Sequence, residues 1–327
     1  MIHKIKKTRL IIILLIIPLF LCACTGGAQK KQEKTAFLLD TIVTITLYEG
    51  GSPAILDGAF AVIEEYESLL SKTLEDSEIA RLNRGENSTV SNETAEIIAV
   101  AITYGKKTGG AFDISIQGVD KLWNFQAENP VLPEAARIND ALASVGYEKI
   151  QQQGTEITLQ DGAELDLGGI AKGYIADKVK AYLQQNGVTS AIINLGGDVL
   201  LIGQKNNAPF AVGVKDPMKQ EALACILDVS DCSVVTTGIY ERGFTIDSRL
   251  YHHILDPTTG WPVETNLSSV TIISTAAVDG DALSTACLVL GEEKALDLLA
   301  TLPGTTVLFI DRAGNILPSS TAAYRTI

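Results

Sequence analysis

Basic residues are outnumbered by acidic ones in this sequence and cysteine and histidine are few, and each shortage removes a class of function. Lys and Arg number 26 against 39 Asp and Glu, a formal charge of −13. A surface so acidic argues against nucleic acid and against a basic membrane-surface module. There are five cysteines. Beyond Cys22 and Cys24 only Cys225, Cys232 and Cys287 remain, an odd number with no Cys-x-x-Cys pair, so neither a disulfide framework nor a zinc site is indicated. Cys225 and Cys232 could still bridge in an oxidising compartment, whereas Cys287, in an apolar helical run, reads as a buried small hydrophobe. Histidine occurs at His3, His252 and His253 alone. No Pro/Gly/Ser-rich linker and no internal repeat divides the body of the chain, which is therefore expected to fold as one unit from 35 to 327.

The N-terminus is the one place where positive charge gathers. Lys4, Lys6, Lys7 and Arg9 precede an apolar run from Leu10 to Leu21, then Leu21-Cys22-Ala23-Cys24. That order is a signal peptide over 1–23. The run is well short of the roughly 20 residues that a transmembrane helix needs. Leu-x-Ala-Cys resembles a lipobox, whose cysteine is lipidated and becomes the first mature residue; Cys24 is that candidate. Two or more acyl chains hold a protein stably on a membrane. The polar segment 24–34 suits a flexible tether. Removing the signal peptide takes four cations with it and makes the mature chain more acidic still.

Hydrophobic periodicity predicts a strand over Ala36 to Tyr48, then helices carrying Leu56, Ala59, Phe60, Ile63, Tyr66 and Leu70, and Ile97, Ile98, Ala101, Ile102 and Tyr104. Two helices thus precede the first glycine motif. A short strand over Glu164 to Leu167 leads into that motif, and a helix with Ile175, Val179 and Leu183 on one side follows it. Further strands are expected at Ala191 to Asn194, Phe210 to Val214, Leu223 to Val229, Ser233 to Thr237, Val270 to Ser274 and Thr306 to Asp311, with helices near Gly280 to Leu290 and Glu292 to Leu302. Strands in runs with helices between groups predict an α+β (mixed α/β) fold.

Four motifs could hold chemistry. Asp166-Leu-Gly-Gly-Ile-Ala-Lys-Gly-Tyr-Ile-Ala-Asp177 places Gly168, Gly169 and Lys172 at a helix N-terminus, where backbone N–H groups and an ammonium suit a diphosphate. It is neither Gly-x-Gly-x-x-Gly nor a P-loop, so a tight turn with a solvated lysine stands beside that reading. Asn194-Leu-Gly-Gly-Asp198 repeats the pattern with Gly196 and Gly197. Taken together, the two suggest loops converging on one ligand, with Asp198 able to bond a hydroxyl. His253-Ile-Leu-Asp-Pro257 offers a proton acceptor for a serine or threonine hydroxyl, with Asp256 placed to orient it or to hold the loop. Its neighbour His252 reads as structural. Asp279-Gly-Asp-Ala-Leu-Ser-Thr285 sets Asp281 and Thr285 at i,i+4, hard oxygen donors on one helix face. A helix cap by Asp281 and a carbonyl bond from Thr285 are the alternative.

These motifs in this order, with Asp76-Ser-Glu-Ile-Ala-Arg-Leu-Asn83, Gly110-Ala-Phe-Asp113, Leu122-Trp123 and Gly238-Ile-Tyr-Glu-Arg242, resemble the ApbE family of FAD:protein FMN transferases from about Phe37 to the C-terminus. The resemblance implies mostly antiparallel sheets flanked by helices, in two intimate lobes around a flavin cleft. It implies a Mg²⁺-dependent enzyme that cleaves FAD, releases AMP and leaves FMN on a threonine or serine of an acceptor flavoprotein. Asp281, Thr285 and the Ala171 carbonyl would hold the metal. Lys172, the glycines and Asp198 would lie along FAD, Asp198 and His253 would be catalytic, and Thr41 would line the flavin end with Trp123 a further candidate. Ile114, Gly118-Val119 and Gly280 depart from the residues usual in the family. Asp161-Gly-Ala-Glu164 matches the acceptor pattern except that its last residue has no hydroxyl, so the target is expected to be another protein on the extracytoplasmic face of the cell membrane. A metal-dependent FAD pyrophosphatase and a lipoprotein that only binds flavin are the other readings.

Overall fold

The computed structural model describes residues 31–125, 127–219 and 221–327; the signal peptide, Cys24 and most of the tether lie outside the described residues. The first two strands, β1 (Gln32–Leu38) and β2 (Thr41–Glu49), form a hairpin, followed by α1 (Pro53–Leu70), α2 (Glu78–Asn83) and α3 (Asn92–Lys107). Two short helices, α4 (Gln117–Asp120) and α5 (Ala135–Leu142), and the hairpin of β3 (Ile150–Gln153) with β4 (Glu156–Leu159) come before the first glycine motif. Then come α6 (Ala171–Gln185), β5 (Ser190–Leu195), β6 (Asp198–Ile202), the hairpin of β7 (Phe210–Lys215) with β8 (Leu223–Val229), and β9 (Ser233–Gly238). A last hairpin, β10 (Gly243–Ile246) with β11 (Arg249–His252), precedes β12 (Leu267–Ser274), α7 (Ala277–Leu290), α8 (Glu292–Leu299) and β13 (Thr306–Asp311).

Seven strands make one antiparallel sheet in the order β1-β2-β5-β6-β9-β12-β13. Alternation along β13 divides its faces. Val307 and Phe309 join the main core with Phe60 and Ile63 of α1, Ile175 and Val179 of α6 and Leu283 of α7. Leu308 and Ile310 point the other way and meet Val214, Cys225 and Leu227 of the β7–β8 hairpin. A third, smaller cluster joins Val119, Trp123, Ile138, Tyr251 and Leu255 beside this body. The fold is α+β, as expected.

Several local expectations are corrected. The run 36–48 is two strands, because Leu39 and Asp40 both take positive φ, 54° and 55°, and reverse the chain within an unbroken apolar pattern. β1 begins at Gln32, inside the segment read as tether. Five helices precede the glycine motif, where two were expected. Residues 164–167 form no strand; Glu164 makes only an isolated bridge to Ile116. Cys225 and Cys232 are both free thiols, and Cys287 is fully buried as expected.

Candidate functional site

The first glycine turn is held from both sides before α6 begins. Asn83 brackets Leu165, accepting its N–H at 2.6 Å and donating to its carbonyl at 2.8 Å. Asp166 Oδ1 accepts the Gly168 N–H at 2.8 Å, and the Ala171 N–H returns to the Leu167 carbonyl at 2.8 Å, so the turn runs directly into the helix. Gly169 lies against α7: a β-carbon there would sit 3.8 Å from Thr285 Oγ1 and 3.1 Å from the Phe112 ring. The second turn closes between β5 and β6, where Gly196 and Gly197 have φ of 69° and 109°. Asn194 Oδ1 accepts the Gly197 N–H at 2.8 Å, and Gly196 donates to the Ile42 carbonyl at 3.1 Å. Any side chain at Gly196 would overlap Thr41, which places Thr41 and this turn together.

Lys172 ties the two turns to α7. Its ammonium is 3.0 Å from Asp198 Oδ2 and 3.5 Å from Asp281 Oδ1. The other Asp281 oxygen accepts the Gly173 N–H at 2.9 Å, at the positive end of α6. Asp198 and Asp281 are 5% and 3% exposed, so both carboxylates are withdrawn from water. Burial pushes the Asp198 carboxyl up to about 7, with Lys172 opposing the rise and Asp281 adding to it. Burial works against the charge on Lys172 too, but Asp198 and Asp281 outweigh it and hold the ammonium protonated. Although Lys172 is close, Asp198 Oδ2 receives no well-directed hydrogen bond.

Neither bland alternative for Asp281 and Thr285 is what the structure contains. The α7 N-terminus is capped instead by Asp177, which accepts from Ala277 and Val278 at 2.9 Å each. Thr285 Oγ1 lies 3.2 Å from Thr237 Oγ1 of β9, and Thr237 in turn is 2.7 Å from Ser284 Oγ. Among the described residues no group of three or more His, Cys, Asp or Glu is arranged around a metal position. A carboxylate, a hydroxyl and a turn carbonyl, with an unsatisfied carboxylate oxygen nearby, suit a hard cation that takes few protein ligands. Gly169 is the turn residue found beside Thr285. Ala171 is the first residue of α6, directly after the N-cap Ile170, whose carbonyl accepts the Tyr174 N–H at 3.0 Å.

His253 follows directly on β11. Its N–H donates to the Arg242 carbonyl at 3.1 Å, and its Nδ1 is 3.2 Å from the same oxygen. A carbonyl only accepts, so Nδ1 carries the proton and Nε2 keeps its lone pair. Burial lowers the imidazole to about 4; Arg242 and Lys172 add to the fall, and Asp166 opposes it. The ring is therefore neutral at physiological pH. Asp256 does not orient it: its Oδ1 accepts from the Thr258 N–H and hydroxyl at 2.8 and 2.7 Å and so holds the loop. His252 is structural, 1% exposed with Nε2 3.2 Å from the Val263 carbonyl. Trp123 is buried too, donating to the Gly260 carbonyl at 3.0 Å and stacking on Phe125 and Tyr251, so it belongs to the third core cluster. Glu241 and Arg242, which sequence reasoning saw only as part of a supporting motif, and Thr237, which it saw only as the end of a strand, are members of the site. Burial raises the Glu241 carboxyl, with Lys172 the first charge opposing it.

The profile of the ApbE family matches residues 39–309. The chain is 35% identical to a FAD:protein FMN transferase of Klebsiella pneumoniae over 91% of this chain and 94% of the relative. It is 33% identical to one of Treponema pallidum, over 88% and 87%. Among solved structures it is similar to the ApbE protein of Thermotoga maritima, with a TM-score of 0.81 at 32% identity over 88% of this chain and 96% of that one. The flavin transferase ApbE of Vibrio cholerae superposes with a TM-score of 0.78 at 26% identity, over 88% and 95%.

Proposed function

The chain belongs to the ApbE family and is a flavin transferase, and on that premise we propose that it moves FMN from FAD onto a serine or threonine hydroxyl of an acceptor flavoprotein, releasing AMP. The observation that supports this reading is the joining of both glycine turns, Asp198 and the Asp281–Thr285 pair through the single ammonium of Lys172. The turns suit the diphosphate, and Lys172 supplies positive charge where the bond between its phosphates breaks. His253 Nε2 is the atom that takes the hydroxyl proton as the acceptor oxygen attacks phosphorus. Thr41, beside Gly196, lines the flavin end.

Asp281, Thr285 and, by the resemblance, the Ala171 carbonyl would hold Mg²⁺. When bound, the ion neutralises the diphosphate and makes AMP a better leaving group. We further propose that Cys24 is lipidated and that the enzyme works at the extracytoplasmic face of the cell membrane, on an acceptor presented there. The test is to incubate residues 32–327 with FAD, Mg²⁺ and a small protein bearing Asp-Gly-Ala-Thr, then weigh the acceptor by mass spectrometry. A gain of one FMN that EDTA prevents is expected. FMN and AMP with an unmodified acceptor would make this a pyrophosphatase, and untouched FAD would leave a flavin binder.

A further inference from the structure

A second lysine held between two carboxylates stands behind the first glycine turn. Lys72, two residues past the end of α1, has its ammonium 2.6 Å from Asp120 Oδ2 at the end of α4 and 2.7 Å from Asp166 Oδ2. Asp166 has its other oxygen on the Gly168 N–H, at 2.8 Å. One carboxylate is thus shared between Lys72 and the turn that leads Gly169 to Thr285. We propose that Lys72 is a positioning residue for flavin transfer: through Asp166 it fixes the Gly168–Gly169 turn in the conformation that accepts the FAD diphosphate. The inference rests on the reading of the site given above, because it assigns the diphosphate to this turn.

The physical case is one of charge and geometry. Asp120 and Asp166 are close enough to repel, and their side chains are only 25% and 17% exposed, so water cannot screen them fully. Without Lys72, Asp166 would be pushed from Asp120 and would bring uncompensated negative charge to the mouth of an anion site. With it, Asp166 is held in one rotamer and its charge is met. The turn has no other side-chain tie at Gly168 among the described residues, since Asn83 grips it three residues earlier at Leu165. The Lys72 side chain keeps 30% of its surface in water, so the charge that its loss leaves unpaired is partly solvated and the cost to overall stability is moderate. Its loss should show in ligand binding before it shows in folding.

The test compares Lys72→Met, Lys72→Arg and Asp120→Asn in three measurements: thermal midpoint, FAD affinity by quenching of flavin fluorescence, and FMN transfer to a protein acceptor. In Lys72→Met, Kd and KM for FAD are expected to rise about tenfold or more, with kcat changed less and the midpoint within a few degrees of wild type. Lys72→Arg should recover most of the affinity, and Asp120→Asn, which leaves the Lys72–Asp166 pair and removes the repulsion, should keep FAD affinity within about twofold of wild type. Unchanged FAD affinity in Lys72→Met overturns the proposal. So does a loss that Arg does not repair and that follows the thermal midpoint. Should Lys72→Met fail to fold, Asp166→Ala decides, because it removes the carboxylate through which Lys72 would act: unchanged affinity there refutes the role. Fluorescence reads FAD binding whether or not FMN is transferred, so an enzyme that binds FAD but labels no acceptor would count against the transferase reading alone.

Discussion

At the scale of single residues, the site divides its work between groups that meet charge and one group that moves a proton. Asp281→Ala removes a buried carboxylate that also accepts the Gly173 N–H. Turnover is expected to vanish even at high Mg²⁺, as measured by AMP release. His253→Ala should leave FAD affinity within about threefold while kcat falls about 10²- to 10⁴-fold; loss of FAD binding in that variant would remove His253 as the base. Because the folded imidazole titrates near 4, the base is already unprotonated at neutral pH. Activity should therefore be flat from pH 6 upward on this limb and fall only as pH drops towards 4, which a kcat/KM profile would reveal.

His252 gives a separate prediction about stability. Burial, helped by the neighbouring His253, lowers it from 6.5 to about 4 in the folded chain. Below pH 6.5 the unfolded chain takes up a proton that the folded chain refuses, so stability present above 6.5 is lost progressively as pH falls to 4. The full effect is about 3 kcal/mol. Asp198, whose carboxyl is raised, works in the opposite sense as pH rises towards 7, so the check is the difference between wild type and His252→Gln in denaturant melts between pH 4 and 6.5. The variant should lose part of the slope. Most of these residues were legible in sequence because each sits in a short motif with its chemistry attached. Lys72 and Asp120 were not, since they meet Asp166 only through the fold, from 94 residues away in the case of Lys72.

At the scale of elements, the site depends on how closely α6 and α7 cross. Gly173 is the contact point: a β-carbon there would overlap the Ala277 carbonyl and lie 2.8 Å from Asp281 Cβ. Gly173→Ala must push the helices apart, and the expected cost is about 1–3 kcal/mol. Because the same shift moves Asp281 from Lys172, Mg²⁺ dependence should weaken as well, and a melt with a Mg²⁺ titration would read both. Gly280 makes a similar approach to β9, where a β-carbon would meet Val235 Cγ2 at 2.8 Å. Gly280→Ala should therefore be destabilising alone and relieved by Val235→Ala, since the two changes act in one space. The longer helices and the buried strands could be read from sequence because their periodicity spans several turns or an unbroken apolar run. The β1–β2 reversal could not. Asp40 is a common turn residue, but Leu39 before it is not, and the register of the hairpin, not leucine's own preference, holds Leu39 at positive φ. The β10–β11 hairpin was missed for a different reason: β10 alternates over only four residues, and in β11 the exposed pair Arg249 and Leu250 is followed by the buried pair Tyr251 and His252, with no alternation to detect.

At the scale of the whole molecule, β1 decides where the folded body starts. It is the outer strand of the seven, and its Ala36 and Leu38 pack on the main core while its register with β2 runs from Gln32↔Leu47 to Leu38↔Thr41. A chain beginning at Gln32 keeps every one of these pairs. One beginning at Asp40 would expose the edge of β2, including the backbone beside Thr41 and Gly196, and leave Leu38 absent from the core. The shorter chain is expected to be less stable, losing seven strand pairs and the part-buried contacts of Ala36 and Leu38, and to aggregate through the bared strand edge. Equal melting temperatures and equal FAD affinity for the two chains would show that β1 is dispensable. The consequence reaches localisation: if Cys24 bears the lipid, only about seven residues separate it from β1, a reach of about 25 Å when extended. An enzyme on so short a tether can serve only acceptors lying close to the membrane surface. Lengthening the segment between Cys24 and Gln32 with Gly/Ser repeats should then extend labelling to acceptors mounted on longer stalks, while leaving labelling of a soluble acceptor by residues 32–327 unchanged.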